Sequence, residues 1–209
     1  VKELNQTAVA ITDHGVMYGC IDFYKAAKAA GVKPIIGCEV YVTRRSIADR
    51  IHGIDNDPYH LVLLCKNRKG YENLCLLVSE AFINGFYGKP RVDISMLEQH
   101  HEGLIALSAC LAGAIPQYLM EEDYEGAKKI GEKYLDVFGK DNFFIELQDH
   151  GIEEQKRTNP LLVKIANEIG AGLVVTNDCH YIEQNDADTH QILLCIQTNH
   201  TINDDDKME

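Results

Sequence analysis

The residues able to do chemistry sit at the ends of apolar runs. Leu173-Val174-Val175-Thr176-Asn177 leads into Asp178-Cys179-His180. In extended backbone, positions i and i+2 point to the same face. Asp178 and His180 are therefore expected to aim a carboxylate and an imidazole at one point, at the end of a buried strand. Ala8-Val9-Ala10-Ile11-Thr12 leads in the same way into Asp13-His14. Neighbouring strand residues point oppositely, so only one of that pair faces a pocket easily. His14 is expected to be a ligand, with Asp13 behind it orienting or balancing charge. Glu39 interrupts the apolar run 34–42, where a lone buried carboxylate is costly. Bridging two cations offsets that cost, and a solvent-facing place on an edge strand is the alternative. His60 opens the run 60–65 and Cys110 follows 104–109. His60 is a ligand candidate or a loop cap, though a ligand at a strand start is awkward where the others end strands. Cys110 is a thiolate ligand, an inert buried thiol or a nucleophile. Asp149-His150 lies in the turn after 142–148, with His150 either a substrate contact at the rim or a solvated residue. Carboxylate, imidazole and thiolate together suit Zn²⁺, Mn²⁺ or Fe²⁺ rather than Ca²⁺ or Mg²⁺.

Positioning these groups requires a framework of alternating elements. The pattern predicts strands over 8–12, 34–42, 60–65, 103–109, 142–148 and 172–178. Helices are expected over 18–30, 70–84, 111–121, 124–138, 153–169 (bent or reset at Pro160) and 186–198. Residues 44–58 and 85–91 read as loops. Their basic residues Arg44, Arg45, Arg50, Lys89 and Arg91 are solvated or meet phosphates. Strand–helix alternation predicts a parallel sheet covered by helices, with polar residues gathered at a barrel mouth or a crevice.

Composition narrows the function classes. The 209 residues carry a formal charge of −12, which argues against a broad nucleic-acid grip by this chain alone. The seven cysteines include no CxxC pair, which suggests a reducing, cytoplasmic setting rather than a disulfide framework. No apolar run is long enough for a membrane span. A single domain over 1–209 is the expectation. Val1-Lys2-Glu3-Leu4 looks like the tail of a helix and 204–209 closes no element, as in an excerpt of a longer chain.

Six ordered motifs carry a family resemblance: Ala10-Ile11-Thr12-Asp13-His14-Gly15, Pro34-Ile35-Ile36-Gly37-Cys38-Glu39-Val40-Tyr41, His60-Leu61-Val62-Leu63-Leu64, Leu107-Ser108-Ala109-Cys110-Leu111-Ala112-Gly113, Glu146-Leu147-Gln148-Asp149-His150-Gly151 and Thr176-Asn177-Asp178-Cys179-His180-Tyr181. Across essentially its whole length, the chain resembles the polymerase-and-histidinol-phosphatase (PHP) domain, in the form carried by bacterial DNA polymerase III alpha subunits. The resemblance implies an α/β fold, a distorted barrel of seven β/α units whose first strand is absent from this chain. It implies up to three divalent metal ions, with His14, Glu39, His60, Cys110, Asp178 and His180 as ligands. Glu39 would bridge two ions, His60, Cys110 and Asp178 would serve one of them, and His14 and His180 would share another. Asp13 and His150 are the catalytic candidates by their position, apart from the resemblance. The family's opening His-x-His and a following acidic ligand have no counterpart here, so the Glu39, His60 and Cys110 group is the one left whole and hydrolysis by the excerpt would be impaired. The implied activity is metal-dependent phosphodiester hydrolysis of the 3′–5′ exonuclease type. The implied partners are DNA through the parent polymerase, a proofreading subunit and a sliding clamp. Two rival readings are a non-catalytic, metal-stabilised module bracing the polymerase and a small-molecule phosphatase of the histidinol phosphatase type.

Overall fold

A computed structural model describes residues 1–204; the expectation for 205–209 lies outside the described residues. The described chain forms two compact units, Val1–Thr176 and a second that begins at Asn177.

The first unit is a mixed α/β fold whose curled sheet is of the distorted β/α-barrel type. Its strands are β1 (Ala8–Ile11), β2 (Lys33–Val42), β3 (Tyr59–Cys65), β4 (Arg91–Val92), β5 (Leu104–Leu107), β6 (Phe143–Leu147) and β7 (Gly172–Val175). The order is β1-β2-β3-β5-β6-β7, with β4 pairing the end of β2. Helices α1 (Cys20–Ala29), α2 (Arg68–Ile83), α3 (Ile94–His100), α4 (Ala114–Met120), α5 (Tyr124–Phe138) and α6 (Glu153–Ile169) connect them. Asn67, Asp93 and Asp123 cap α2, α3 and α5 by accepting from the backbone N–H of Gly70, Met96 and Gly126. Helix α6 continues through Pro160 without a break.

The sheet is not all parallel. Strand β3 runs antiparallel to both β2 and β5, while β1–β2, β5–β6 and β6–β7 are parallel. The reversal corrects the parallel sheet expected from element alternation. Its physical basis is the crossover. Residues 43–58 join β2 to β3 without a covering helix, so the chain returns beside β2 in the opposite sense.

Alternation along the strands separates two faces. Cys38, Val40, Val42, Tyr59, Leu61, Leu63, Leu104, Ala106, Phe143 and Ile145 pack with helix residues such as Leu74, Leu77, Ile115 and Ile165 in the main core. Val62, Leu107 and Ala109 form a smaller cluster on the opposite face, with Leu64, Ile105, Phe144 and Val174 against it. Glu39 pairs in register with Val62 and therefore belongs to this second face. Strand β7 was expected to be buried, yet Leu173 and Val175 are exposed.

The loop 43–58 is held from inside. Arg91 is fully buried, and its guanidinium donates to the carbonyls of Ile47, Asp49, Asp55 and Gly85. Arg91 is thus a structural tie, neither solvated nor a loop cation meeting phosphate, the two readings its sequence context offered. Helix α3 and strand β4 were not foreseen. The first follows an Asp93 cap, and the second is only two residues long.

The second unit holds one turn of 3-10 helix, Gln184–Asp186, and α7 (Ala187–Thr198). A capping box formed by Glu183 and Asp186 starts it. No helix among the described residues is long and apolar enough to cross a membrane.

Candidate metal centre

His14 reaches the site through strand register. From Ala8↔Lys33 to Ile11↔Ile36, β1 and β2 pair with a constant offset. The same offset carries on beyond β1 to an isolated parallel bridge between His14 and Glu39. Backbone bonds Glu39 N–H to Asp13 O (3.0 Å) and Gly15 N–H to Glu39 O (2.8 Å) lock that bridge. Gly15 adopts φ +66°, and a Cβ there would press on Pro90 and Tyr41.

His60 comes from the other side of β2. It pairs with Tyr41, so its side chain shares a face with those of Tyr41 and Glu39. Because β3 is reversed, its first residues lie beside the last residues of β2. The start of this one strand therefore lies beside the end of β2, which accounts for the place of His60 in the sequence.

The three side chains meet at one atom. His14 Nδ1 lies 2.6 Å and His60 Nδ1 2.8 Å from Glu39 Oε1. Among the described residues, His14, Glu39 and His60 are the one group of three whose ligand atoms all fall within 4.8 Å of one another. Glu39's side chain is only 5% exposed, against 48% for His14 and 21% for His60. Burial opposes ionisation of Glu39, but hydrogen bonds from both imidazoles outweigh it and hold its carboxyl at about 2 rather than 4.5. A buried carboxylate facing two imidazoles is a donor set suited to a divalent transition metal. Their spacing is that of hydrogen bonds, with ring N–H groups satisfying the carboxylate.

Cys110 stands beside this trio. Its Sγ lies 3.7 Å from His60 Nδ1. Two local features aim it there. Ala109, which precedes it, has φ +64°, a conformation costing an L-residue roughly 1–2 kcal/mol. Gly113 follows on a tight return, donating to Cys110 O at 2.9 Å and bridging to His60. A Cβ on Gly113 would collide with the Ser108 carbonyl. His60 N–H donates to Ala112 O (3.0 Å), so the Cys110 turn is bonded to the start of β3.

The remaining candidates are placed differently. Asp13 is exposed, and its carboxylate lies against Gly19 at the N-terminus of α1, where the helix dipole favours negative charge. The Gln155 side chain grips His150: its Oε1 accepts from the His150 backbone N–H at 2.8 Å, and its Nε2 sits 3.0 Å from Nδ1. His150 itself is exposed on its loop. In the second unit, His180 Nδ1 lies 2.9 Å from Asp178 O and 3.9 Å from Asp178 Oδ1. The extended-strand premise for that pair does not hold. Strand β7 ends at Val175, and Asp178 has φ +46°, so strict two-residue alternation stops short of it.

One neighbour of the trio escaped sequence reasoning, and another, Lys89, was named only as a loop cation that is solvated or meets phosphate. Tyr41 stacks on His14 at 6.4 Å between centroids and meets His60 edge-on at 5.2 Å. Its place two residues after Glu39 on one strand was the available signal. Lys89 sits 5.0 Å above the Tyr41 ring, brought by a loop with no periodic signal. Glu146, buried on β6, carried the same signal as Glu39, an acid inside an apolar run. Its Oε1 accepts from Thr176 Oγ1 and from Gln148 Nε2.

These features define a class. The family profile for the PHP domain matches residues 1–150, and the chain belongs to that family. Over its whole length it is 49% identical to the DNA polymerase III subunit alpha of Treponema pallidum, covering 18% of that protein. It is 46% identical over 202 residues to the Thermus aquaticus subunit, covering 16% of it, and 45% identical to that of Deinococcus radiodurans, covering 15%. The chain thus spans less than a fifth of these relatives.

Proposed function

We propose that this chain is the PHP domain of a bacterial DNA polymerase III alpha subunit and that, within the longer protein, it hydrolyses phosphodiesters with bound divalent metal, an activity impaired in this chain alone. The convergence of His14 and His60 on the buried Glu39 carboxylate carries this reading. His14, Glu39, His60 and Cys110 would hold metal in the first unit, and Asp178 and His180 are proposed as further ligands. A divalent zinc, manganese or iron ion supplies Lewis acidity toward phosphate and lowers the pKa of water. The protein's own groups set the stage. Glu39 stays ionised at any physiological pH and fixes both imidazole orientations. Tyr41 stacks beside one face of His14. Asp13 and His150 are proposed to act at the rim, Asp13 through local charge and His150 by contacting substrate.

Nucleotidyl transfer, the activity named by the relatives, is assigned to parts of the longer protein outside this chain. DNA, a proofreading subunit and a sliding clamp are the proposed partners, in the cytoplasm. The test is hydrolysis of 3′-labelled DNA by the longest purified form, with and without Mn²⁺ or Zn²⁺, beside Glu39→Gln. Metal-dependent release of 3′ nucleotides that Glu39→Gln abolishes supports the reading. Metal-independent release overturns it.

A second reading is favoured by one observation: the trio stitches β1, β2 and β3 at a single carboxylate. Bound metal would then brace the fold, since a ligand held only by the folded state stabilises it. Melting that falls on chelation, with no DNA hydrolysis at any metal concentration, selects this alternative.

A further inference from the structure

A second polar cavity lies on the opposite, helix-covered face of the same two strands. Tyr41 and His60 pair toward the metal centre, so the next pair, Val42 and Tyr59, points the other way. There, between the strand ends and α4–α5, is a cavity of about 80 Å³. Beside Thr43, its polar lining is Arg44, Arg45, Lys133, Tyr59, Tyr118 and Tyr134.

The charges in this cavity are unevenly compensated. Arg44 donates to Asp57 O, Asp57 Oδ2 and Tyr59 Oη. Those bonds leave two of its five guanidinium N–H groups for a ligand. Asp57 itself is 77% exposed, so its charge is screened. Arg45 is tied to the buried Asp55. Lys133 forms no ion pair among the described residues, although Glu98 and Asp136 share a neighbouring groove with it. Burial keeps the phenols of Tyr59 and Tyr134 protonated, raising Tyr59 to about 12 and Tyr134 further. They therefore present hydroxyl donors rather than negative charge. A guanidinium fork, an ammonium and several phenols around a small cavity match the tetrahedral oxygens of phosphate.

We propose that this cavity is a binding site for a small phosphate anion, separate from the metal centre and independent of the hydrolytic reading. The ligand is inorganic phosphate, pyrophosphate or the terminal phosphates of a nucleotide. All present the same oxygens, and titration distinguishes them.

The experiment is calorimetry on the purified protein after chelation, so that bound metal cannot be what captures phosphate. Inorganic phosphate, pyrophosphate and a deoxynucleoside triphosphate are titrated separately. The expected result is one saturable site for at least one of them, weakened roughly tenfold or more by Lys133→Gln and by Arg44→Gln. Glu39→Gln should leave it unchanged. Tyr134→Phe, which removes one hydroxyl, serves where Arg44→Gln fails to fold, as judged by circular dichroism. No saturable binding of any of the three, or binding lost in Glu39→Gln but intact in Lys133→Gln, overturns the proposal.

Discussion

At the scale of single residues, Glu39 governs the candidate centre. Its carboxyl is depressed in the folded protein relative to the unfolded chain. The stabilisation this brings is therefore complete above the unfolded value, 4.5, and is lost as pH falls through about 2. In metal-free protein the loss should be roughly 3 kcal/mol. Urea melts between pH 5 and pH 2 should show it, and Glu39→Gln should flatten that part of the profile. At neutral pH the same substitution should weaken Zn²⁺ or Mn²⁺ binding by at least about a hundredfold, since it removes the charge shared by both imidazoles. Competition with a chromogenic chelator measures this. An unchanged affinity would place the metal elsewhere. Glu39 and His14 were legible in the sequence because an acid inside an apolar run and a histidine ending one are local signals. Cys110 was legible as a candidate, but its direction was not. That direction comes from the left-handed Ala109 and the tight return at Gly113, which no hydrophobic period encodes.

At the scale of elements, the turn 108–113 and the loop 43–58 position the site. Gly113→Ala should cost about 1–3 kcal/mol, because the added methyl meets the Ser108 carbonyl and backbone must shift. The same variant should bind metal more weakly, since the shift carries Cys110 away from His60. Ala109→Gly should be neutral or stabilise by up to about 1 kcal/mol, relieving left-handed strain while loosening the unfolded chain. Thermal melts of both variants check this pair, and strong destabilisation by Ala109→Gly would contradict it. Removing the guanidinium with Arg91→Met should leave the carbonyls of Ile47, Asp49, Asp55 and Gly85 unmatched, at a cost of about 2–4 kcal/mol. Amide exchange across 47–55 should then accelerate. The sequence marked 44–58 as polar and aperiodic, which was right. The tie that orders it comes from a residue more than thirty positions away, and so was not visible locally.

At the scale of the whole molecule, all six expected strands begin within one residue of their observed starts. Helices α5 and α6 match the expected spans. Long amphipathic helices and apolar strands announce themselves through period. Strand direction does not, and the reversed β3 was the main departure. It decides the site nonetheless, because only a reversed strand brings a leading histidine beside the end of β2. If metal stitches β1, β2 and β3, chelation of metal-loaded protein should lower the melting temperature by several degrees. The two readings of the domain share this outcome and differ only in hydrolysis.

The unbroken offset between β1 and β2 also sets which changes in chain length the centre tolerates. Extra residues within 16–32 lengthen only the excursion through α1 and leave His14 facing Glu39. One residue added between Ile11 and His14, or between Ile36 and Glu39, displaces the partners by about 3.3 Å and turns one of them to the wrong side. The imidazole and the carboxylate are thus protected from insertions along most of the sequence separating them, and vulnerable at Thr12-Asp13 and Gly37-Cys38.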